Sequence, residues 1–332
     1  MSNLDVRPPL TECGGRADVA AEPVRELLQG RSVQLGESSE VRRLLPTLGR
    51  RMVGAWCFVD HYGPDDIVDQ PGMQVPPHPH IGLQTVSWLL DGEVLHRDSL
   101  GSLQTLRPGT LGVMTAGHGI AHSEESPAAH SATLHGAQLW VALPDGARAA
   151  EPRWEFHADL PVLEDGGLRA TVFMGEMAGA RSAGTAFSPL VGVDLTLAAG
   201  GDARLPLEPD FEYAVLTTLG VANVDGVDLA PGSLLYLGCG RSDLQVSAAS
   251  ASHMLLLGGE PFEEEIVMWW NFVARTGEEI GAARTDWMNA GSVEITPSAA
   301  GSRFGTVHGY AGDRLPAPAL PSTRLKPRGR VR

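Results

Sequence analysis

His78 and His80 stand one residue apart in Pro76-Pro77-His78-Pro79-His80, and His122 and Glu124 keep the same spacing in His122-Ser123-Glu124. In a β-strand, residues i and i+2 point to one face, and neighbouring strands lie about 4.8 Å apart. Two such pairs on adjacent strands aim four ligand groups at one point. Imidazole with carboxylate suits a divalent transition metal: iron, copper, nickel or zinc. Three nitrogens and one carboxylate leave positions open on a metal that takes five or six ligands, as a catalytic centre does. Binding needs neutral imidazoles and an ionised carboxylate, so affinity is expected to fall as pH drops through the histidine range. A lone His-x-His in a proline-rich loop would be surface decoration. The second pair, reached past a hairpin and a further turn, changes that balance.

The elements that would hold these residues are short strands. Gly30–Gly36 reads as a first strand and Val53–Asp60 as a longer one. Gln84–Leu90 is β-branched and apolar, Asp91-Gly92 signals a hairpin, and Glu93–Asp98 returns. Leu106-Arg-Pro-Gly109 turns into Leu111–Met114, and Thr133–Leu143 makes a long buried-looking strand. This cadence predicts an all-β fold of sandwich or jelly-roll type. A second β-rich block runs from about Val191 to Leu257. Its Leu229-Ala-Pro-Gly-Ser-Leu234 echoes Leu106-Arg-Pro-Gly-Thr-Leu111, which sets Gln245 opposite His122 and Ser247 opposite Glu124. The second half is therefore expected to be a related domain without a histidine site. One helix is expected after a capping box at Thr276-Gly-Glu-Glu279, with Ile280, Ala283 and Trp287 on its apolar stripe and Gly291 at its stop.

The expected organisation is a flexible segment over 1–20, a metal-binding domain over 21–144, a bridge over 145–190, a degenerate domain over 191–292 and a Pro-rich basic tail over 293–332. From Ser322 onward the tail carries Lys/Arg and no acid. It is expected to be solvated and mobile, with a grip on an acidic partner as the alternative. The net charge of −15 argues against nucleic acid as a direct partner. Cys13, Cys57 and Cys239 are too sparse for a disulfide framework, which points to a cytoplasmic, reducing home. The N-terminus lacks a secretory signal, and no apolar run is long enough to span a membrane.

Other chemistry finds less support. His96 is read as a strand-surface residue paired with Asp98, or as a fifth ligand. His118, between two glycines, is a candidate to support His122 from behind. His61, His130, His135, His157 and His253 lack a partner at ligand spacing. Ser123 has no G-x-S-x-G context, Cys57 lies in an apolar strand, and no dinucleotide or phosphate-loop motif occurs. Trp269-Trp270 reads as core or interdomain packing, with a planar-ligand wall as the alternative.

The chain resembles the pirin family of bicupins. The likeness runs through Phe58-Val-Asp-His-Tyr-Gly-Pro64, His78-Pro-His80, Leu90-Asp-Gly-Glu93, His96-Arg-Asp-Ser-Leu-Gly101, Arg107-Pro-Gly109, Met114–Glu124, Gln138-Leu-Trp-Val141 and Gly258-Gly-Glu-Pro261. The resemblance implies two stacked antiparallel β-sandwich cupin domains. The N-terminal one would bind a single metal, usually Fe(II), through His78, His80, His122 and Glu124. Nickel, cobalt, manganese, copper and zinc are the alternatives. It also implies either a quercetinase-type dioxygenase acting on a small flavonol-like aromatic substrate, with Glu124 as the catalytic base, or a metal-dependent regulator working through a protein partner. A cupin with a different reaction is a third reading. Where the family commonly reads Arg-Gly-Phe-Glu after the second histidine, this chain has Ile81-Gly-Leu-Gln84. That departure is expected to alter the electrostatics of the pocket.

Overall fold

A computed structural model describes residues 11–13, 23–35, 39–290, 302–323 and 325–327. Strands dominate, and the sheets are antiparallel. In the first half a seven-stranded sheet runs in the order Arg153–His157, Leu111–Thr115, Leu83–Asp91, Thr133–Ala142, Trp56–Asp66, Ser39–Leu45, Arg31–Leu35. A four-stranded sheet faces it in the order Gln74–His80, Ile120–Glu125, Val94–Asp98, Leu103–Leu106. The second half repeats the plan. Its four-stranded sheet runs Asp202–Pro206, Asp243–Ser247, Ala222–Val224, Val227–Leu229, with the same connectivity as its counterpart. The fold is a bicupin, and the short Pro-Gly echo marks a true internal repeat.

The register of that echo is off by one residue. Leu244 and Val246, not Gln245 and Ser247, are fully buried in the second core, and Gln245 reaches outward to Asp202. Alternate strand residues face opposite sides, so a one-residue difference exchanges the faces. The positions facing the second core are aliphatic, and His122 and Glu124 have no polar counterpart there.

The halves also exchange edge strands. Glu26–Gln29 pairs with Ser233–Gly238 of the second half, while Arg153–His157 completes the sheet of the first. The large sheets pack face to face around Trp56, Trp88, Phe173, Leu255 and Leu257. Polar contacts fix this face at defined points. Trp56 Nε1 donates to the Val191 and Gly258 carbonyls at 3.2 and 3.1 Å, and Trp88 Nε1 donates to Asp194 Oδ2 at 2.7 Å. Gly54 adopts φ +53°, and a Cβ there would strike the backbone of Gly259. Glycine is required on both counts.

At the rim of this face, His61 and His135 meet at 2.8 Å between their Nε2 atoms, while His253 pairs with Asp194. Burial, reinforced by neighbouring positive charge, lowers His61 to about 3 and His135 to about 4. Arg42 and His253 act in the same sense on His61, and Asp91 opposes the shift on His135. Their unfolded values lie near 6.5. Stability from keeping the rings neutral is therefore present above about pH 6.5 and lost as pH falls toward 4, at up to about 1.4 kcal/mol per pH unit for each ring. Urea melts are expected to show a lower midpoint at about pH 5 than at about pH 7. In a His61→Leu, His135→Leu double variant the slope should flatten; an unchanged slope would remove these rings as its source.

The helix spans Gly277–Asn289, capped by Thr276, whose hydroxyl accepts from Glu279 N at 3.2 Å. The Thr276 N–H reaches back to the Glu279 carboxylate as the box requires, and that carboxylate also accepts from Arg275 N and Arg148. Ile280, Ala283 and Trp287 are buried as expected. They pack with Trp269, Trp270 and Phe272, so that pair is core. Gly291 lies outside the described residues. No helix among those described is long and apolar enough to cross a membrane.

The segment 302–323 docks on the core through a few apolar residues. Phe304 is fully buried against Phe272 and Trp287, and Trp287 Nε1 donates to Leu315 O at 2.8 Å. Apolar residues at irregular spacing made this contact unreadable as a helix or strand. Of the basic residues after Ser322, only Lys326 is described. At the other end, Thr11–Cys13 pairs with Ile266–Met268; most of the expected N-terminal lead-in lies outside the described residues.

Candidate metal centre

The strand Gln74–His80 contains three prolines. Proline cannot donate to a ladder, which confines it to sheet edges, and this strand is the edge of its sheet. It pairs with Ile120–Glu125, with His78 directly opposite His122. A bulge between His122 and Glu124 shifts the register there, and Glu124 faces His96 across the other neighbouring strand. Bulges re-aim side chains near functional sites.

His78, His80 and His122 are each fully buried, and one ring nitrogen from each lies within 4.8 Å of the others. The Nε2 atoms of His78 and His80 are 3.2 Å apart, and those of His80 and His122 are 3.1 Å apart. The outward nitrogens explain the arrangement. His78 Nδ1 donates to the Pro76 carbonyl at 2.8 Å, and His80 Nδ1 donates to the Asn271 carbonyl at 3.0 Å. A carbonyl only accepts, so each Nδ1 carries the proton and each neutral ring turns a bare Nε2 lone pair inward. Burial draws His78 down to about 4 and, with the neighbouring imidazoles, holds His80 and His122 well below the ordinary histidine value. The rings are thus neutral at pH 7. Lone pairs converging at this distance repel unless a cation lies between them. Nitrogens about 2.1 Å from a metal stand about 3 Å apart when adjacent in an octahedron. The site fits a divalent metal.

Glu124 is buried on the same strand. Ser87 Oγ approaches Glu124 Oε1 at 3.3 Å and Gln138 Oε1 at 2.9 Å. The carboxylate lies outside the tight group formed by the three imidazoles. The Trp140 ring meets His80 edge-on at 5.2 Å, and Phe58 stacks on Trp140 at 4.1 Å. Trp140 Nε1 and Gln138 Nε2 are buried and without a hydrogen-bond partner among the described residues.

Several expectations change. His96 does pair with Asp98, at 3.1 Å, but it is buried, and its Nδ1 lies 3.5 Å from His122 Nδ1. His118 turns away from His122, with its Nδ1 toward Ala150 O and Glu151. Ile81 packs with Trp269 and Phe272, and Gln84 donates to Thr115 Oγ1 and to Thr185 O of the second half. Neither faces the imidazoles, so the departure from Arg-Gly-Phe-Glu acts at the domain contact. Cys57 is inert packing, its thiol pushed up to about 12 by burial. Asn271 was invisible in the sequence, because its contribution is a backbone carbonyl presented by a hairpin almost two hundred residues downstream. The hairpin strands are Ile266–Trp269 and Phe272–Ala274, and Trp270 at their turn takes φ +54°, a strained conformation for a bulky residue.

The pirin family model matches residues 38–141, and the model of the pirin C-terminal cupin domain matches 192–292. A Pseudomonas aeruginosa protein named "Putative quercetin 2,3-dioxygenase PA1205" is 42% identical over 325 residues, covering 97% of this chain and 98% of its own. A pirin-like protein of Caulobacter vibrioides is 40% identical over 77% of this chain and 90% of its own. The crystal structure of a quercetin 2,3-dioxygenase from Acinetobacter baumannii superposes with a TM-score of 0.84 at 42% identity, covering 90% of this chain and 96% of that one. With both domain models matched in order and the ligand-bearing strands in the first of them, the chain belongs to the pirin family.

Proposed function

We propose that the protein is a metal-dependent dioxygenase of the quercetinase type, with His78, His80, His122 and Glu124 as ligands of one divalent metal, Fe(II) foremost. The carrying observation is the convergence of three neutral imidazoles whose outward nitrogens are pinned by acceptors. The relatives named for quercetin 2,3-dioxygenase support a small flavonol-like substrate. Three sparse, widely separated cysteines suit a reducing cytoplasm.

A bound divalent metal supplies positive charge that acidifies a coordinated hydroxyl and open positions that orient substrate. The protein's own groups do the rest. Glu124 would take the proton of the flavonol hydroxyl on a carboxylate oxygen, and Ser87, 3.3 Å away, steadies that carboxylate. The Trp140 ring, edge-on to His80, offers an aromatic edge beside the imidazoles. Trp140 Nε1 and Gln138 Nε2 are donors for substrate oxygens. Burial excludes water from the deprotonated substrate.

Oxygen consumption on adding quercetin to iron-loaded protein tests this reading. Turnover should require the metal and disappear on chelation. Consumption no faster than that of a His78→Ala, His122→Ala double variant would reject it.

A further inference from the structure

His78 and His80 have outward nitrogens fixed by backbone carbonyls, which accept and never donate. His122 differs, because its Nδ1 meets another imidazole, His96 Nδ1, at 3.5 Å. Either nitrogen of such a pair can carry the proton, so geometry at His122 alone leaves its tautomer undecided. The next group settles it. His96 Nε2 lies 3.1 Å from Asp98 Oδ2. A carboxylate accepts only, so His96 Nε2 carries a proton, and in that Nε2–H tautomer His96 Nδ1 is bare. A bare His96 Nδ1 accepts from His122 Nδ1–H, and His122 Nε2 is left bare toward His78 and His80.

The chain is anchored at its far end. Asp98 Oδ1 accepts from Leu100 N and Ser102 N, both at 2.9 Å. His96 is held in plane by Trp154, stacked at 3.6 Å between centroids and 8° between planes. Asp98 and His96 are each 2% exposed. The strand register places Asp98 beside His122 and His96 beside Glu124.

We propose that Asp98 and His96 are positioning residues that set the tautomer of His122 through this two-step hydrogen-bond chain, preparing its Nε2 to bind metal. The purpose of the chain rests on the metal reading above; its proton arrangement does not.

The polarity of the chain makes an unusual ordering. In Asp98→Asn, the two backbone N–H groups claim the amide oxygen, which turns the amide nitrogen toward His96. His96 Nε2 must then accept, His96 Nδ1 must donate, and His122 is driven to the Nε2–H tautomer that cannot ligate. This near-isosteric change should weaken metal binding by about 100-fold, the upper range for groups behind a ligand. His96→Leu, which removes the chain without reversing it, should cost about 10-fold. In His96→Gln the amide can donate to Asp98 and accept from His122, so affinity should return to within a few-fold of wild type.

Two measurements decide it. Competition with a metal-sensitive chelator gives the affinities with Co(II), whose ligand-field spectrum reports the coordination directly. Nitrogen-15 correlation spectra of the histidine rings, recorded without metal, give the tautomers. The expected result is His122 protonated at Nδ1 and His96 at Nε2 in wild type, both reversed in Asp98→Asn. Finding His122 protonated at Nε2 in wild type, or Asp98→Asn binding Co(II) as tightly as wild type, would overturn the proposal. Should Asp98→Asn fail to fold, the wild-type tautomers and the His96→Gln against His96→Leu comparison remain decisive. A wild-type protein that shows these tautomers yet binds no divalent metal would refute the metal reading and uphold the chain.

Discussion

Protein carrying His78→Ala and His122→Ala together is expected to retain no divalent metal after desalting, whereas wild type retains one equivalent. Elemental analysis of the two preparations is the check. Removing two of three converging imidazoles leaves His80 as the only ring in the cluster, and a single buried imidazole does not hold a metal against water. The loss should also be visible without chemistry. Metal at a hundred times its dissociation constant stabilises the folded state by about 2.7 kcal/mol, and that increment should vanish in the double variant. Comparing each protein with and without metal separates this from the cost of the voids left behind, because voids lower both melts equally. A variant that still gains stability from metal would place the binding site elsewhere.

The second large effect is expected at Asp60. Arg43 and Asp60 form a two-point ion pair at 2.9 and 2.8 Å, with 2% and 0% exposure. Asp60→Ala leaves a guanidinium buried without its counter-charge, at a cost of about 3–5 kcal/mol. The consequence reaches the metal centre through contacts. Arg43 lies over the Phe58 ring at 4.5 Å, Phe58 stacks on Trp140, and Trp140 abuts His80. Chemical denaturation should show the loss in full, with metal affinity reduced as well. A cost below about 1 kcal/mol would mean that water or a rearranged partner reaches Arg43.

What could be read from the sequence, and what could not, follows from how far each interaction reaches. The His78, His80 and His122 cluster was readable because strand alternation is local and the two motifs carry the same spacing. The His96–Asp98 pair was readable for the same reason, but its burial was not, since that depends on Trp154 from a later strand. Ile81 and Gln84 misled because proximity in sequence to a ligand is not proximity in space. Gln84 points through the sheet to the second half, and that face becomes a core only when the halves meet. The one-residue slip at Gln245 has a similar origin: a six-residue echo fixes a turn, but the strand beyond it can enter one residue early. Asn271 and the docked segment 302–323 gave no signal, since a carbonyl can come from any residue and irregular apolar spacing has no period.

The way segment 302–323 is attached has a consequence for how the protein is made. Ala121 N donates to Phe304 O at 3.0 Å, and Leu315 N donates to Pro77 O at 2.8 Å. Both ligand-bearing strands are thus completed by residues far downstream of them. During synthesis the ligands emerge well before the cover over their strands. Until the segment 302–323 has emerged, the proline-rich edge of the nascent sheet is bare, and a ribosome stalled before residue 304 holds a chain with its ligands present and their strands uncapped.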